Sequence, residues 1–458
     1  MIPMSLQLAS HDTICAPATA IGGALGIIRV AGPETFSIVS SICSVQCSRV
    51  VANTIHYTHI VDKEGEVIDE AMVSIFRAPH SYTGEDSVEL SCHGSSYIIK
   101  KVLELLVKNG CRLAFPGEFT QRAFLNGKMD LSQAEAVADL IASTNQATHR
   151  LAISQLRGGI SSQLAILREQ LLKLTSLLEL ELDFSDHEDL EFANRTELLE
   201  LANNTENHIV NLSRSFETGQ AIKQGIPVAI VGKTNVGKST LLNRLLHEDR
   251  AIVSDIHGTT RDTIEDTIDI NGVTFRFIDT AGIRQTTDAI EQIGIQRSLA
   301  AIKKARIVLW LIDCNPTLEE LQEMQDRCSS KALIVIQNKI DINNNDELSL
   351  SKLNPIKISA KYGQGIDKLE QVIYNKADLP TLSETDIIIT NARHYTALIN
   401  AHDNLSRVIE GLEQNISGDL LSEDLRLVLS DLAEITGKGI ISSQEVLNNI
   451  FSQFCVGK

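Results

Sequence analysis

Hydrophobic and polar positions change period several times along the chain, and each change marks an element. Between residues 24 and 110, short apolar runs are separated by turn residues. The runs 24–30, 56–61, 67–76 and 87–92 predict strands, the middle two paired around Lys63-Glu64-Gly65. Residues 36–43 and 97–108 carry helical spacing, and the second helix is expected to stop at Asn109-Gly110. This mixture predicts an α+β domain over residues 1–120.

Helical spacing takes over next. Residues 116–128 read as a loop and a short helix. Ser132-x-x-Glu135 predicts a capping box opening a helix through Ile141. Ile160, Leu164, Leu167, Leu171, Leu174, Leu178 and Leu182 then recur every three or four residues, one continuous apolar stripe that predicts a bundle core. A third helix is expected over 198–216, with Gly219 and Gly225 as a joint after it. Strands and helices alternate from 226 to about 376, as in a doubly wound α/β unit. Helical spacing returns at 394–412, 420–436 and 443–454. Helices on both sides predict one helical domain with the α/β unit inserted, its late helices packed on its early ones. The expected division is 1–120, 121–218, 219–376 and 377–458.

Composition narrows the class. The chain has 458 residues, 43% of them hydrophobic, with a net charge of −18 from 41 basic and 59 acidic residues. That balance argues against broad, sequence-independent binding of nucleic acid. No apolar run is long enough to span a membrane, and Met1–Gln7 lacks the basic and apolar segments of a signal peptide, so a cytoplasmic protein is expected. The eight cysteines include no C-x-x-C pair and are expected to be free thiols. Cys43, Cys47, Cys92 and His93 can be assembled into a zinc set only at poor spacing. Seven acids within 179–191 read as a solvated turn between helices. The final Cys455-Val456-Gly457-Lys458 has the length of a prenylation signal, but Gly457 and Lys458 are unsuited to one.

The strongest chemistry lies at 226–240. An apolar strand breaks at Gly232, turns through Asn235, Val236 and Gly237, and enters a helix at Lys238, Ser239 and Thr240. The spacing is G-x-x-x-x-G-K-S. Its backbone N–H groups and helix N-terminus suit a phosphate. Lys238 can reach the terminal phosphates, and the Ser239 hydroxyl can ligate Mg²⁺. Four further signals follow in order. In 254–262, which includes Ser254, Asp255, Ile256, His257, Gly258 and Thr259, Thr260 can complete the Mg²⁺ shell. A strand over 274–278 ends in Asp279-Thr280-Ala281-Gly282, where Asp279 suits an outer-shell Mg²⁺ role and Gly282 can offer its N–H to the γ-phosphate. A strand over 332–337 ends in Asn338-Lys339-x-Asp341. A short strand over 356–358 ends in Ser359-Ala360-Lys361. The Asp341 carboxylate only accepts hydrogen bonds, so it matches the paired N–H donors of guanine and not adenine. The Ala360 N–H is expected to read the guanine carbonyl. Five motifs in this order, each at a strand end, predict GTP binding.

Hydrolysis is less usual. Ile283 stands where a Ras-like enzyme carries its water-orienting glutamine. Arg261 and Arg284 are the arginines available as fingers, and either also suits a surface ion pair. Glu291 can orient water if its segment folds over the phosphates.

Taken together, these stretches resemble the bacterial tRNA-modification GTPase family MnmE, also called TrmE, over essentially the whole chain. The resemblance rests on Gly26-Ile27-Ile28-Arg29-Val30, Tyr82-Thr83-Gly84-Glu85-Asp86, Pro116-Gly117-Glu118-Phe119, Arg122 to Lys128, Gln133-Ala134-Glu135-Ala136, the nucleotide motifs and the terminal Phe454 to Lys458. It implies an N-terminal α+β domain that binds a formyl-tetrahydrofolate and dimerises, and a helical domain interrupted by a Ras-like G domain. It further implies a partner, MnmG, with which a (carboxymethyl)aminomethyl group is placed on C5 of the wobble uridine of certain tRNAs. By the same resemblance Asn235 and the 254–259 loop (Ser254, Ile256, Thr259) would coordinate K⁺, the charge that replaces an arginine finger. Glu291 matches the catalytic glutamate. Arg29, Glu89, Lys128 and Lys458 match the folate site. Cys455 matches a cysteine implicated in the modification, although its residue type and position alone read as inert. Thr234 stands where the family usually has proline, and Val456 where it usually has isoleucine. A GTP-switched ribosome or RNA assembly factor is the alternative. The acidic charge and the folate-like first domain count against it. A membrane-remodelling GTPase ranks last, because no basic amphipathic helix supports it.

Overall fold

The computed structural model describes residues 12–183, 195–249, 266–278, 299–342, 354–379, 387–437, 451, 454 and 457. The chain divides into two compact units. One holds Met1–Ile141, Gln155–Thr205 and Asn400–Lys458, and the other Ala142–Ser154 and Glu206–Ile399.

The first unit begins with a six-stranded sheet in the order β3-β4-β5-β2-β1-β6. Its strands are β1 (Ile14–Pro17), β2 (Leu25–Ala31), β3 (Thr54–Val61), β4 (Val67–Phe76), β5 (Ser87–His93) and β6 (Arg112–Leu113). β3 and β4 pair antiparallel around the expected turn. Along β4, buried and open positions alternate, as they do where one sheet face is solvated. Helices α1 (Thr35–Ile42) and α2 (Ser96–Lys108) cover the other face, with Val39, Ile99 and Val102 in its core. β1 and β6 had no sequence signal. Four residues ending in proline, and two residues alone, are too short to show a period; they become strands by pairing with β2 and with each other. Cys43, Cys47 and Cys92 lie buried in the same core. Burial pushes the Cys43 thiol up to about 12 and the Cys92 thiol up to about 11. No group of three or more potential metal ligands occurs among the described residues.

Helices follow: α3 (Glu118–Leu125), α4 (Leu131–Ala142), α5 (Gln146–Leu156), α6 (Gly159–Asp183) and α7 (Arg195–Gln224). The capping box that opens α4 is not the one expected. Asp130 Oδ1 accepts the Gln133 N–H at 3.0 Å, and Gln133 Oε1 accepts the Asp130 N–H at 2.9 Å. Ser132 lies inside the helix and donates to Asp130 at 2.8 Å. Asp is as good an N-cap as Ser, and its carboxylate at this position also faces the helix dipole. α5 was not anticipated either. The stripe on α6 is buried as predicted, from Ile160 to Leu178. α6 packs on α12 (Gly418–Thr436), whose Leu421, Leu425, Val428 and Leu432 are buried. Most of the predicted helix 443–454 and most of the acidic stretch lie outside the described residues.

The second unit is built on a sheet in the order β12-β11-β10-β7-β9-β8. Its strands are β7 (Ile226–Gly232), β8 (Asp266–Ile270), β9 (Val273–Phe277), β10 (Ile307–Ile312), β11 (Ala332–Gln337) and β12 (Ile356–Lys357). All pairs are parallel except β8–β9. β10 is buried on both faces: Ile307, Leu309 and Leu311 enter one core, Val308, Trp310 and Ile312 the other. That explains its unbroken apolar run. The helices here are α8 (Lys238–Asp249), α9 (Leu318–Arg327) and α10 (Ile366–Lys376), followed by α11 (Ala392–Glu413).

Gly219 is not a joint, because α7 continues through it to Gln224. A Cβ there would stand 2.1 Å from the Ile389 carbonyl oxygen, so the glycine lets the returning chain lie directly on the helix. The same contact is fastened by Ile389 N–H to Ser215 Oγ (3.0 Å), Gln220 Nε2 to the Thr390 carbonyl (2.8 Å) and Phe216 stacked on Tyr395 with centroids 4.4 Å apart. The segments that enter and leave the α/β sheet are thereby clasped together. Near β9, Asn145 Nδ2 donates to Thr274 Oγ1 at 2.7 Å, while Ala147 and Leu151 of α5 join the sheet's core. The fold is therefore an α+β domain followed by helices interrupted by a phosphate-loop α/β unit.

Candidate nucleotide site

β7 lies at the point where the chain turns from one side of the sheet to the other: β9 pairs on one flank and β10 on the other. Ligands of doubly wound sheets bind outside the strands' carboxyl ends at such a point. The chain leaves β7 through a loop in which Asn235 has φ +61° and Gly237 φ +103°. At Gly237 a side chain is excluded twice over, because its Cβ would also lie 2.3 Å from Asn338 Nδ2. Lys238 folds back along the loop and donates to the Gly232 and Lys233 carbonyls, both at 2.7 Å. Burial lowers its pKa. Ser239 and Thr240 follow in the first turn of α8.

Asn338, only 4% exposed, ties this loop to the rest of the site. Its Nδ2 donates to the Val236 carbonyl at 2.8 Å, and its Oδ1 accepts the Ala360 N–H at 3.0 Å. The Ala360 donor, expected to read the guanine carbonyl, is thus engaged within the protein. Ser359 Oγ donates to Asp341 Oδ1 at 2.6 Å, which orients that carboxylate. Lys339, at φ +62°, pairs with Asp313 at 2.9 Å. The hydrogen bond from Lys339 holds the Asp313 carboxyl below its ordinary range. Arg244 of α8 donates to the Lys361 carbonyl at 2.7 Å. Hydrogen bonds thus link Val236, Asn338 and Ala360, and Ser359 with Asp341, while Gly237 lies against the Asn338 amide.

Two of these contacts, those of Asp313 and Arg244, carry no motif signal, and neither does the ion pair of Lys233 with Glu320 at 2.6 Å. Asp313 did leave a trace, as a carboxylate that ends an apolar strand on the ligand side of the sheet. Ser254, Asp255, Ile256, His257, Gly258, Thr259, Thr260, Asp279, Thr280, Ala281, Gly282, Glu291, Cys455 and Lys458 lie outside the described residues.

The first unit carries a second constellation. β2 and β5 place Arg29 opposite Glu89. Arg29 donates to Glu89 Oε1 through Nε at 3.0 Å and Nη2 at 2.8 Å, and to the Gly457 carbonyl at 3.3 Å. Its guanidinium also lies 5.3 Å from the Tyr82 ring centroid and 5.6 Å from that of Phe119. Gly457 passes so close to β1 that a Cβ would lie 2.1 Å from the Pro17 carbonyl oxygen. Phe451 and Phe454 anchor the same terminal segment against Leu131 and Ala134. Lys128 donates to the Pro79 carbonyl at 2.8 Å, on the loop that carries Tyr82. Other residues of the recognised motifs turn out to be structural. Arg122, 6% exposed at its side chain, pairs with Glu118, Glu85 and Asp12.

Comparisons with known proteins agree with these features. Residues 13–128 match the family described as GTP-binding protein TrmE N-terminus, and residues 131–455 match the MnmE helical domain. A tRNA modification GTPase MnmE of Phocaeicola vulgatus is 52% identical, covering 99% of this chain and all of its own. Its namesake in Bacteroides fragilis is 54% identical over 98% of this chain and all of its own. That of Flavobacterium johnsoniae is 48% identical over 98% of this chain. Among solved structures, the G domain of the T. maritima FeoB iron transporter overlaps 33% of the chain at 19% identity and a TM-score of 0.24, too slight a likeness to assign anything. With two family matches that together span nearly its whole length and relatives this similar end to end, the chain belongs to the tRNA modification GTPase MnmE family.

Proposed function

We propose that this protein is a K⁺-stimulated GTP hydrolase. With an MnmG partner it would form 5-(carboxymethyl)aminomethyluridine at the wobble position of certain tRNAs, drawing one carbon from a folate. The observation that carries the nucleotide reading is the Asn338 side chain, which spans from the phosphate loop to the Ser359-Ala360 loop and so fixes the guanine-reading Asp341 relative to the phosphates. Family membership carries the tRNA-modification reading.

The residues present suit the groups this activity needs. Ser239, at the start of α8 beside a positively turned loop, supplies a hydroxyl for Mg²⁺, and Thr260 is its proposed companion. Asn235, held at φ +61° in the loop, offers an amide oxygen for K⁺, joined in this proposal by the backbone of Ser254, Ile256 and Thr259. K⁺ supplies positive charge near the phosphates, and Glu291 orients the attacking water. Arg29 and Glu89, side by side and partly open, suit a folate's acceptors and amino donors, with Lys128 and Lys458 nearby in this assignment. Cys455 is assigned to the modification step.

The assigned domains are 1–120 for folate and dimerisation, 121–218 and 377–458 for the helical part, and 219–376 for the G domain. The protein is proposed to be a cytoplasmic homodimer. No helix among the described residues is long and apolar enough to cross a membrane.

The test is GTP hydrolysis by the whole chain in KCl against NaCl at equal ionic strength. Strong stimulation by K⁺, lost in Glu291→Ala while GTP still binds, is the expected result. Equal rates in the two salts would sink the cation assignment.

A further inference from the structure

β10 runs between the phosphate-loop strand β7 and the strand β11 that ends in Asn338-Lys339-x-Asp341. Ile312 closes it opposite Gln337, and Asp313 follows at the carboxyl end, on the ligand side. Lys339 has a left-handed backbone at φ +62°, a conformation that an L side chain adopts only when its surroundings enforce it. Its neighbours are enforced one by one. Asn338 bridges Val236 and Ala360, Asp341 is held by Ser359, and the Ile340 N–H donates to the Ile358 carbonyl at 3.3 Å. Lys339 itself carries a long side chain with many rotamers. Asp313, 2.9 Å from its ammonium, anchors the end of that chain.

We propose that Asp313 is a positioning residue for the guanine nucleotide: by anchoring Lys339 it completes the ordering of the base-reading segment before the ligand arrives. The inference rests on reading 338–341 as the guanine element. A lysine left loose would have to be ordered at each binding event, and that cost falls on the bound state. Both side chains of the pair are about one-third exposed, at 34% and 31%. A pair this open adds little to global stability, so its effect belongs in nucleotide residence and not in melting.

The experiment is displacement of a fluorescent GDP by excess GDP, followed by stopped flow on the whole chain. Asp313→Asn is expected to speed dissociation about three- to tenfold. Its thermal midpoint should match that of Glu323→Gln, a control that removes one carboxylate from the exposed Arg327–Glu323 pair on α9. Asp313→Glu, which keeps the charge, should restore slow release. In a Lys339→Met background, Asp313→Asn should add nothing. Dissociation from Asp313→Asn at the wild-type rate, or an equal acceleration in the Lys339→Met background, would overturn the inference. If the unaltered chain fails to bind the fluorescent GDP while Asp341→Asn behaves identically, the guanine reading itself falls, and this inference with it.

Discussion

At Gly237 two constraints coincide. The backbone is left-handed, and the space a Cβ would take is occupied by the Asn338 amide. Gly237→Ala should therefore strain the loop and push Asn338 off the Val236 carbonyl, uncoupling phosphate binding from base reading. The expected result is at least a tenfold rise in the dissociation constant for GDP (about 1.4 kcal/mol), measured by fluorescence titration, with the far-ultraviolet dichroism unchanged. An unaltered constant would mean that the Asn338 bridge does not support the site. The glycine and the asparagine were both legible as motif residues. Their mutual contact was not, since 101 positions separate them.

At the scale of elements, the clasp between α7 and the 388–395 segment governs how the α/β unit is held at its own base. Gly219→Ala would bring a methyl group to 2.1 Å from the Ile389 carbonyl oxygen, and neither a helix backbone nor a segment clasped to it yields easily. A loss of about 1–3 kcal/mol is expected, read as a lower urea midpoint. An ordinary interior helical glycine would behave oppositely, because alanine has the higher helix propensity. A raised midpoint would thus contradict the clasp. A glycine ahead of a strand usually marks a joint, and Gly219 has that position in the sequence. What overrides the habit is the close approach of a segment 170 residues further on.

At the scale of the molecule, the terminal segment returns to the first strands of the chain. Arg29 holds the Gly457 carbonyl, and Phe451 and Phe454 are buried beside Leu131 and Ala134. If this junction is the folate site, its two ends depend on each other. Arg29→Ala should weaken binding of 5-formyltetrahydrofolate by about tenfold or more, because it removes a charged donor and frees Glu89. It should also expose the terminal segment to limited proteolysis. Folate binding that persisted at wild-type strength would remove Arg29 from that site. GTP binding should be unchanged in this variant, since none of its contacts lie in the nucleotide constellation.

The amino-acid order by itself determined the elements whose signal is local. The buried run of β10, the stripe of α6, the strands that run into Gly232, Asn338 and Ser359 and the change from strand period to helix period all follow from side chains within a few turns of one another. Only the tertiary structure decided the rest. β1 and β6 are strands because they pair, not because of their own residues. Asp130, and not Ser132, caps α4, since several residues there could serve as caps and the folded chain selects one. Asn338, Asp313 and Arg244 act across the sheet, and Arg29 meets Gly457 across nearly the whole chain. Such contacts depend on which strands become neighbours. Sheet order is set by burial summed over whole domains, a quantity that no short window of sequence contains.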